Sequence, residues 1–342
     1  MVRTKTTGNT SEDLTGIISK KKIVINITIH SMLAVAVLII APWFGSENFT
    51  FSKFSAQNEV FKLLLSYRLA RVTIAFLLGG VLSLSGTLLQ ATLKNPLIEP
   101  YTLGISSSSA LGAFIGITFF SFIPWSGFSL SILISVFIIF TVYRLSQRFG
   151  GFSVYTLILA GITISIFSAS LISLLRYILN PLTANLLDRW LIGSLITASW
   201  KDFWILLCFS IPLILWGGYF ANDYNQLYFQ TEVSKSRGLN VEWLQKLTFL
   251  IVSIAIAGSV SLFGPIAFVG LIVPHIERKI SGFDYRIVIP ATFISGGILL
   301  TLSDLISRTI LAPTELPVGI ITSCLGAPFF LYLLFCRKDL TD

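Results

Sequence analysis

At 342 residues, 54% hydrophobic and only 12% charged, with a mean hydropathy of +0.84, the chain excludes an ordinary soluble domain; such domains carry about 25% charged residues. The formal net charge of +8 is not a nucleic-acid signature, because the basic residues sit in loops between apolar runs. Cys208, Cys324 and Cys336 lie in or beside apolar runs without ligand spacing, so they read as small apolar fillers rather than a disulfide or metal set.

Residues 1–23 are polar and end in Lys20-Lys21-Lys22. They are expected to be an uncleaved cytoplasmic tail, with residues 24–338 as one transmembrane domain. The first apolar run, Ile23 to Phe44, should cross outward, since basic flanks stay inside. Residues 45–66 form a polar outer loop, and span 2 (67–92) returns inward. Spans 3 (101–121), 4 (128–145) and 5 (152–175) follow, then an outer segment (176–200) with an amphipathic piece near 185–195. Span 6 covers 201–220. The later spans are 246–264, a short one at 265–277, then 287–310 and 316–335. Ten spans put both termini inside. On that map 16 of the 24 basic residues fall on the inner side, the bias expected of a correctly oriented chain.

Arg68, Arg71 and Arg308 stand outside against that trend. Arg68 and Arg71 lie one helical turn apart on one face, and Arg308 comes four residues after Asp304. One reading is snorkelling to headgroups plus an Asp304–Arg308 pair within the helix. The other is a docking ring for acidic residues of an external partner, since arginine binds carboxylates in a fork.

Residues 221–246 are the longest polar stretch after the tail. Glu232, Lys235, Arg237 and Glu242 mix there with Leu227, Val233, Leu239 and Trp243, and Asn240 is placed to cap a following helix. A short amphipathic pair on the inner face fits, resting on lipid or contacting a cytoplasmic subunit.

Residues 258–286 break helix rules inside an apolar run. Pro265 and Pro274 are nine residues apart, and each lacks an N–H. Pro265 is expected to begin a short helix that Pro274 kinks or ends near. Broken helices persist in a membrane only where protein buries them or a cavity is lined. An ungapped echo links 80–99 to 258–277 at eight of twenty positions, including Gly86/Gly264, Pro96/Pro274 and Glu99/Glu277. Five intervening spans would invert the copies, although the span map leaves both Pro-x-Ile-Glu ends inside. Gly104-Ile105-Ser106 with His275 does not make a convincing catalytic set. The chain also contains no G-x-x-x-x-G-K-[ST] loop, so ATP could be used only through another subunit.

Several motifs together resemble the FecCD family of ABC importer permeases over roughly residues 60–338: Arg68-Leu-Ala-Arg71, Ser85-Gly86 with Gln90, Asn95-Pro-Leu-Ile-Glu-Pro100, Leu159-Ala-Gly161, the run Gly264 to His275, and Glu315-Leu-Pro-Val-Gly319 with Gly326-Ala-Pro328. The resemblance implies an all-α fold of about ten transmembrane helices in the cytoplasmic (inner) membrane, with no enzymatic activity, cofactor or metal of its own. It implies a dimer of two permease copies with a path between them lined by spans 5 and 10, and import of an iron–siderophore, haem or cobalamin by alternating access. Two cytoplasmic ATPase subunits would contact 226–246, at Thr231, Glu232, Lys235, Arg237 and Gly238. An extracytoplasmic solute-binding protein would meet Arg68, Arg71 and Arg308. Asn95, Leu97, Ser153 and Val154 would form the cytoplasmic gate. Departures are Ala70 for a usual proline, Ser108 for glycine, Gln230 and Arg237 in the coupling stretch, and Tyr285 for a common histidine. The alternative class is an ion-gradient-driven transporter, which would call for membrane-embedded carboxylates; Asp304 and Glu315 are its candidates.

Overall fold

The computed structural model describes residues 20–45, 59–147, 153–179, 181–229 and 239–336. Helix and connecting loop account for all of them, with no strand among the described residues. The helices in chain order are α1 (Lys20–Ile40), α2 (Glu59–Leu93), α3 (Ile105–Phe119), α4 (Ser126–Gln147), α5 (Val154–Ile178), α6 (Pro181–Leu191), α7 (Trp200–Tyr219), α8 (Ala221–Phe229), α9 (Val241–Phe263), α10 (Val269–Ser281), α11 (Tyr285–Thr309) and α12 (Val318–Cys336). A 3-10 turn, Ala41–Trp43, follows α1. Seven of these are long and apolar enough to cross a bilayer. The shorter apolar α3 and α12, with the 13-residue α10, complete the ten expected. The all-α polytopic architecture expected from hydropathy is the one observed.

The helix α2 is the axis of the molecule. Its apolar window is 89% buried, whereas the windows of α1, α4, α5 and α7 are 11–28% buried and present apolar surface outward. Helices gain little from the hydrophobic effect against each other in lipid, so they need close backbone approach and interhelical hydrogen bonds. Both appear on α2. A Cβ on Gly86 would stand 1.9 Å from the Gly270 carbonyl oxygen, so α2 and α10 cross backbone to backbone. Ser83 Oγ donates to the Thr292 carbonyl at 2.6 Å, joining α2 to α11. Gln90 Nε2 donates to the Ile98 and Gly270 carbonyls at 2.9 and 3.2 Å.

The broken stretch differs from expectation in where it breaks. The helix α9 ends at Phe263, Gly264 takes φ 73°, and the next helix starts only at Val269, with Phe268 also left-handed at φ 71°. Pro265 therefore lies in an irregular link instead of opening a helix, and α10 runs through Pro274 to Ser281. The physical reason is the chain after α6. Ser194 N donates to the Phe263 carbonyl at 2.9 Å, taking up an orphan helix-end acceptor. A Cβ on Gly264 would stand 1.9 Å from the Trp190 carbonyl oxygen. Residues 190–194 thus fill the gap that the missing turn leaves.

The echo between 80–99 and 258–277 is not shared in three dimensions. Gly86 is mid-helix while Gly264 ends a helix; Pro96 is in a turn while Pro274 is inside α10. Cys208 and Cys324 are free and exposed rather than filling the interior.

Candidate functional site

At the N-terminal end of α2, a recess of about 190 Å³ is lined by Gly45, Leu64, Tyr67, Arg68, Arg71, Arg308 and Glu315. It gathers four pieces of chain: the bend at Gly45 after the 3-10 turn, α2, the end of α11 and the lead into α12. Arg68, Arg71 and Arg308 are only 6, 1 and 2% exposed, and Asp304 is fully buried beneath them. Arg71 Nε and Nη2 clasp Asp304 Oδ1 at 3.0 and 2.8 Å. Its Nη1 donates to Glu315 Oε2 at 2.6 Å and to Tyr67 Oη at 3.3 Å. Tyr67 in turn donates to the Ile196 carbonyl at 2.6 Å.

Arg308 Nη2 donates to the Ala41 carbonyl at 2.8 Å, and its Nε lies 3.6 Å from Asp304 Oδ2, the within-helix pair read from the sequence. Arg68 Nη1 donates to the Pro42 carbonyl at 3.4 Å. The structure thus brings together all three outer arginines named from sequence, but sets them in a recess and ties them into the fold. A buried charge persists only when paired, and Asp304 and Glu315 supply the pairing.

At the C-terminal end of α2, Asn95 and Leu97 share one turn, in which Asn95 Oδ1 accepts from Leu97 N at 2.9 Å. Ser153 caps α5, accepting from Thr156 N at 3.2 Å, and Val154 is the first residue of that helix. Among the described residues no hydrogen bond joins the two pairs. Lys94 and Asn95, with Gln90 and Arg278, line a second cavity of about 330 Å³. Partial burial pushes the Lys94 amine down. The coupling residues Thr231, Glu232, Lys235, Arg237 and Gly238 lie outside the described residues.

Both flanks of the coupling stretch are described. Asn240 caps α9 as expected, accepting from Trp243 N at 3.0 Å. On the other flank, α8 is bound to the link before α11: Asn225 Nδ2 donates to Asp284 Oδ1 and Tyr285 N donates to Asn225 Oδ1, both at 2.8 Å. Burial acts to raise the Asp284 carboxyl, but bonds from Arg286 and Asn225 outweigh it and hold it below its ordinary value.

Two buried acids were not singled out as sites by sequence reasoning. Glu277 accepts from Ser281 and Ser295 and meets His30 Nε2 at 3.1 Å, joining α1, α10 and α11. His30 Nδ1 also meets the Asn26 carbonyl at 2.8 Å. A histidine inside the first apolar run was the available signal. Glu99, in the link between α2 and α3, accepts from the Phe268 N–H; burial pushes its carboxyl up to about 7, with that bond pulling the other way. It fixes the left-handed residue that starts α10.

The FecCD transport family profile matches residues 27–336. The chain is 35% identical over 332 residues to an iron chelatin transport system permease protein of Helicobacter pylori (strain J99), covering 90% of this chain and 98% of that one. It is 32% identical over 289 residues to the hemin transport system permease protein HmuU of Yersinia pestis, covering 83% and 86%. Among solved structures, it is similar to an inward-facing conformation of a metal-chelate type ABC transporter, with a TM-score of 0.79 and 28% identity over 90% of this chain and 98% of that one. With a profile match over residues 27–336 and relatives 32–35% identical along most of both chains, the chain belongs to the FecCD transport family.

Proposed function

We propose that this permease is the membrane-spanning subunit of an ATP-driven importer for an iron chelate, haem or a corrinoid. Two copies face each other across the path, two ATPase subunits sit on the cytoplasmic face, and a solute-binding protein docks outside. Both termini are cytoplasmic. The observation that carries the reading is the structural likeness to a metal-chelate type ABC transporter along 90% of the chain.

In this reading each face has a part. The outer recess offers guanidiniums to acidic side chains of the binding protein. The Asn225–Asp284 contact ties the coupling side to the link that starts α11, and α11 packs along the central α2. A push on the coupling segment would therefore reach the core helix through α11, switching the path between outer and inner openings.

Co-purification with the ATPase, followed by hydrolysis assays in lipid, tests the proposal. Stimulation by a binding protein loaded with one of these chelates is the expected result. Failure of the two subunits to associate would return an ion-driven mechanism. Arg68→Ala should weaken docking and lessen its salt dependence; an unaltered salt dependence would remove the arginines from that role.

A further inference from the structure

Tyr224, on α8, is fully buried, and its hydroxyl sits where α7, α8 and α9 meet. Its Oη is 2.7 Å from Thr248 Oγ1 in α9, and Trp216 Nε1 of α7 donates to it at 3.0 Å. The direction of the bond to Thr248 follows from proton counting. A threonine hydroxyl has one proton, and Thr248 gives its own to the Leu244 carbonyl at 2.7 Å. Tyr224 must therefore be the donor. Burial pushes its phenol up to about 12, so it keeps the proton that it donates. The result is a one-way chain, from the Trp216 indole through two hydroxyls to a backbone carbonyl.

The place of this chain in the fold bears on function. Helix α8 ends at Phe229 and α9 begins at Val241, so the two flank residues 230–238, which hold the expected ATPase-coupling residues. Trp216 touches both flanks: its N–H meets Tyr224, and its ring lies 5.5 Å from that of Trp243 in the first turn of α9. The next residue, Asn225, is about 100° further round the helix and is held by Asp284 and by Tyr285 N. Two consecutive residues thus fasten α8 on two sides, Asn225 to the start of α11 and Tyr224 to α7 and α9. A nine-residue helix fastened on one side can roll about that contact; fastened on two, it moves with its neighbours.

We propose that Tyr224 is a positioning residue for coupling: its hydroxyl locks α8 to α7 and α9, so that a displacement of α8 by the ATPase subunits moves all three helices together. The inference rests on the importer reading above and adds a second route of transmission beside the Asn225–Asp284 contact.

Tyr224→Phe is the direct test, because it removes the hydroxyl and orphans no buried group. Trp216 Nε1 also reaches Thr248 Oγ1, at 3.2 Å, and keeps that bond. The variant should therefore fold and melt much as the unsubstituted chain does. In the permease alone, in lipid nanodiscs, amide hydrogen exchange across 221–229 should accelerate by about fivefold, the factor that one net hydrogen bond carries. Thr248→Val removes the acceptor and should do the same, whereas Thr248→Ser keeps it and should not. Unchanged exchange in Tyr224→Phe, or equal acceleration in Thr248→Ser and Thr248→Val, would overturn the lock.

In the assembled complex, chelate transported per ATP hydrolysed should fall by up to about fivefold in Tyr224→Phe and in Thr248→Val. The double variant should be no worse than either, because the two act through one bond. An unaltered ratio, whether or not both rates drop, would leave the hydroxyl a structural part only and overturn the proposal. If the unsubstituted chain fails to associate with the ATPase, the importer reading falls, and the exchange result still decides whether the lock exists.

Discussion

Asp304→Asn should be among the more destabilising single changes around the arginine recess, although it removes no volume. The substitution leaves Arg71, 1% exposed, with only Glu315 as a charged partner. Arg71 now gives Asp304 contacts at 2.8, 3.0 and 3.2 Å. Charge-assisted hydrogen bonds contribute about 1.5–3 kcal/mol each, and breaking a buried pair from one side costs about 3–5 kcal/mol. Glu315 keeps part of the compensation, so the expected loss is about 3 kcal/mol, at the low end of that range. Arg71→Met should cost a similar amount, because Asp304 would then keep only Arg308 at 3.6 Å. The double variant Arg71→Met, Asp304→Asn removes both charges and should lose less than the sum by about 2 kcal/mol. Unfolding in mixed micelles of all four forms closes the cycle. Strict additivity would mean that the pair is not coupled and that burial of Arg71 is sustained by other contacts.

Three further outcomes follow from the geometry. The Glu99 carboxyl, raised by burial from 4.5 to about 7, favours the protonated form in the folded chain. Its stabilisation is therefore complete below about 4.5 and is lost as pH rises through about 7, a change of about 3 kcal/mol. Unfolding measured against pH should show that slope and lose it in Glu99→Gln. Gly86→Ala drives a methyl into the Gly270 carbonyl and should cost about 1–3 kcal/mol, whereas Gly218→Ala meets nothing within 4 Å in α7 and should be neutral or mildly stabilising by thermal melting. His30→Leu leaves buried Glu277 with only the Ser281 and Ser295 hydroxyls; a loss of about 2 kcal/mol is expected, and Glu277→Gln in that background should recover part of it.

Hydropathy made the seven long spans and the two shorter apolar helices legible, because length and composition alone decide whether a segment can cross a bilayer. The helix start at residue 269 was not legible, since it depends on Ser194 and Trp190 filling the gap from about 70 residues away in sequence. Local rules placed Pro265 at a helix start, and a tertiary contact prevailed. The outer arginines were legible as exceptions to the charge bias, but their depth was not. Arg71 is buried by Asp304, 233 residues later, and by Glu315, 244 residues later. The Asp304–Arg308 pair, four residues apart, was legible for the same reason that these were not. Glu99 and Glu277 were quoted as members of an echo, yet each is held by partners that no spacing rule reaches.

The deep burial of α2 also bears on how the protein is made. This helix enters the membrane second, carrying Arg68, Arg71, Ser83, Thr87, Gln90 and Thr92 among its buried residues. Its main partners are Thr292, Asp304 and Gly270, all translated roughly 180 or more residues later. Until then Arg71 lacks its buried carboxylate and Ser83 and Gln90 lack these interhelical acceptors, and in lipid each unsatisfied group costs energy. At synthesis rates of about 5–20 residues per second, that wait lasts on the order of ten seconds or more. The permease is thus most vulnerable to membrane quality control midway through its own translation, and truncations that end before α11 should be degraded however apolar they are.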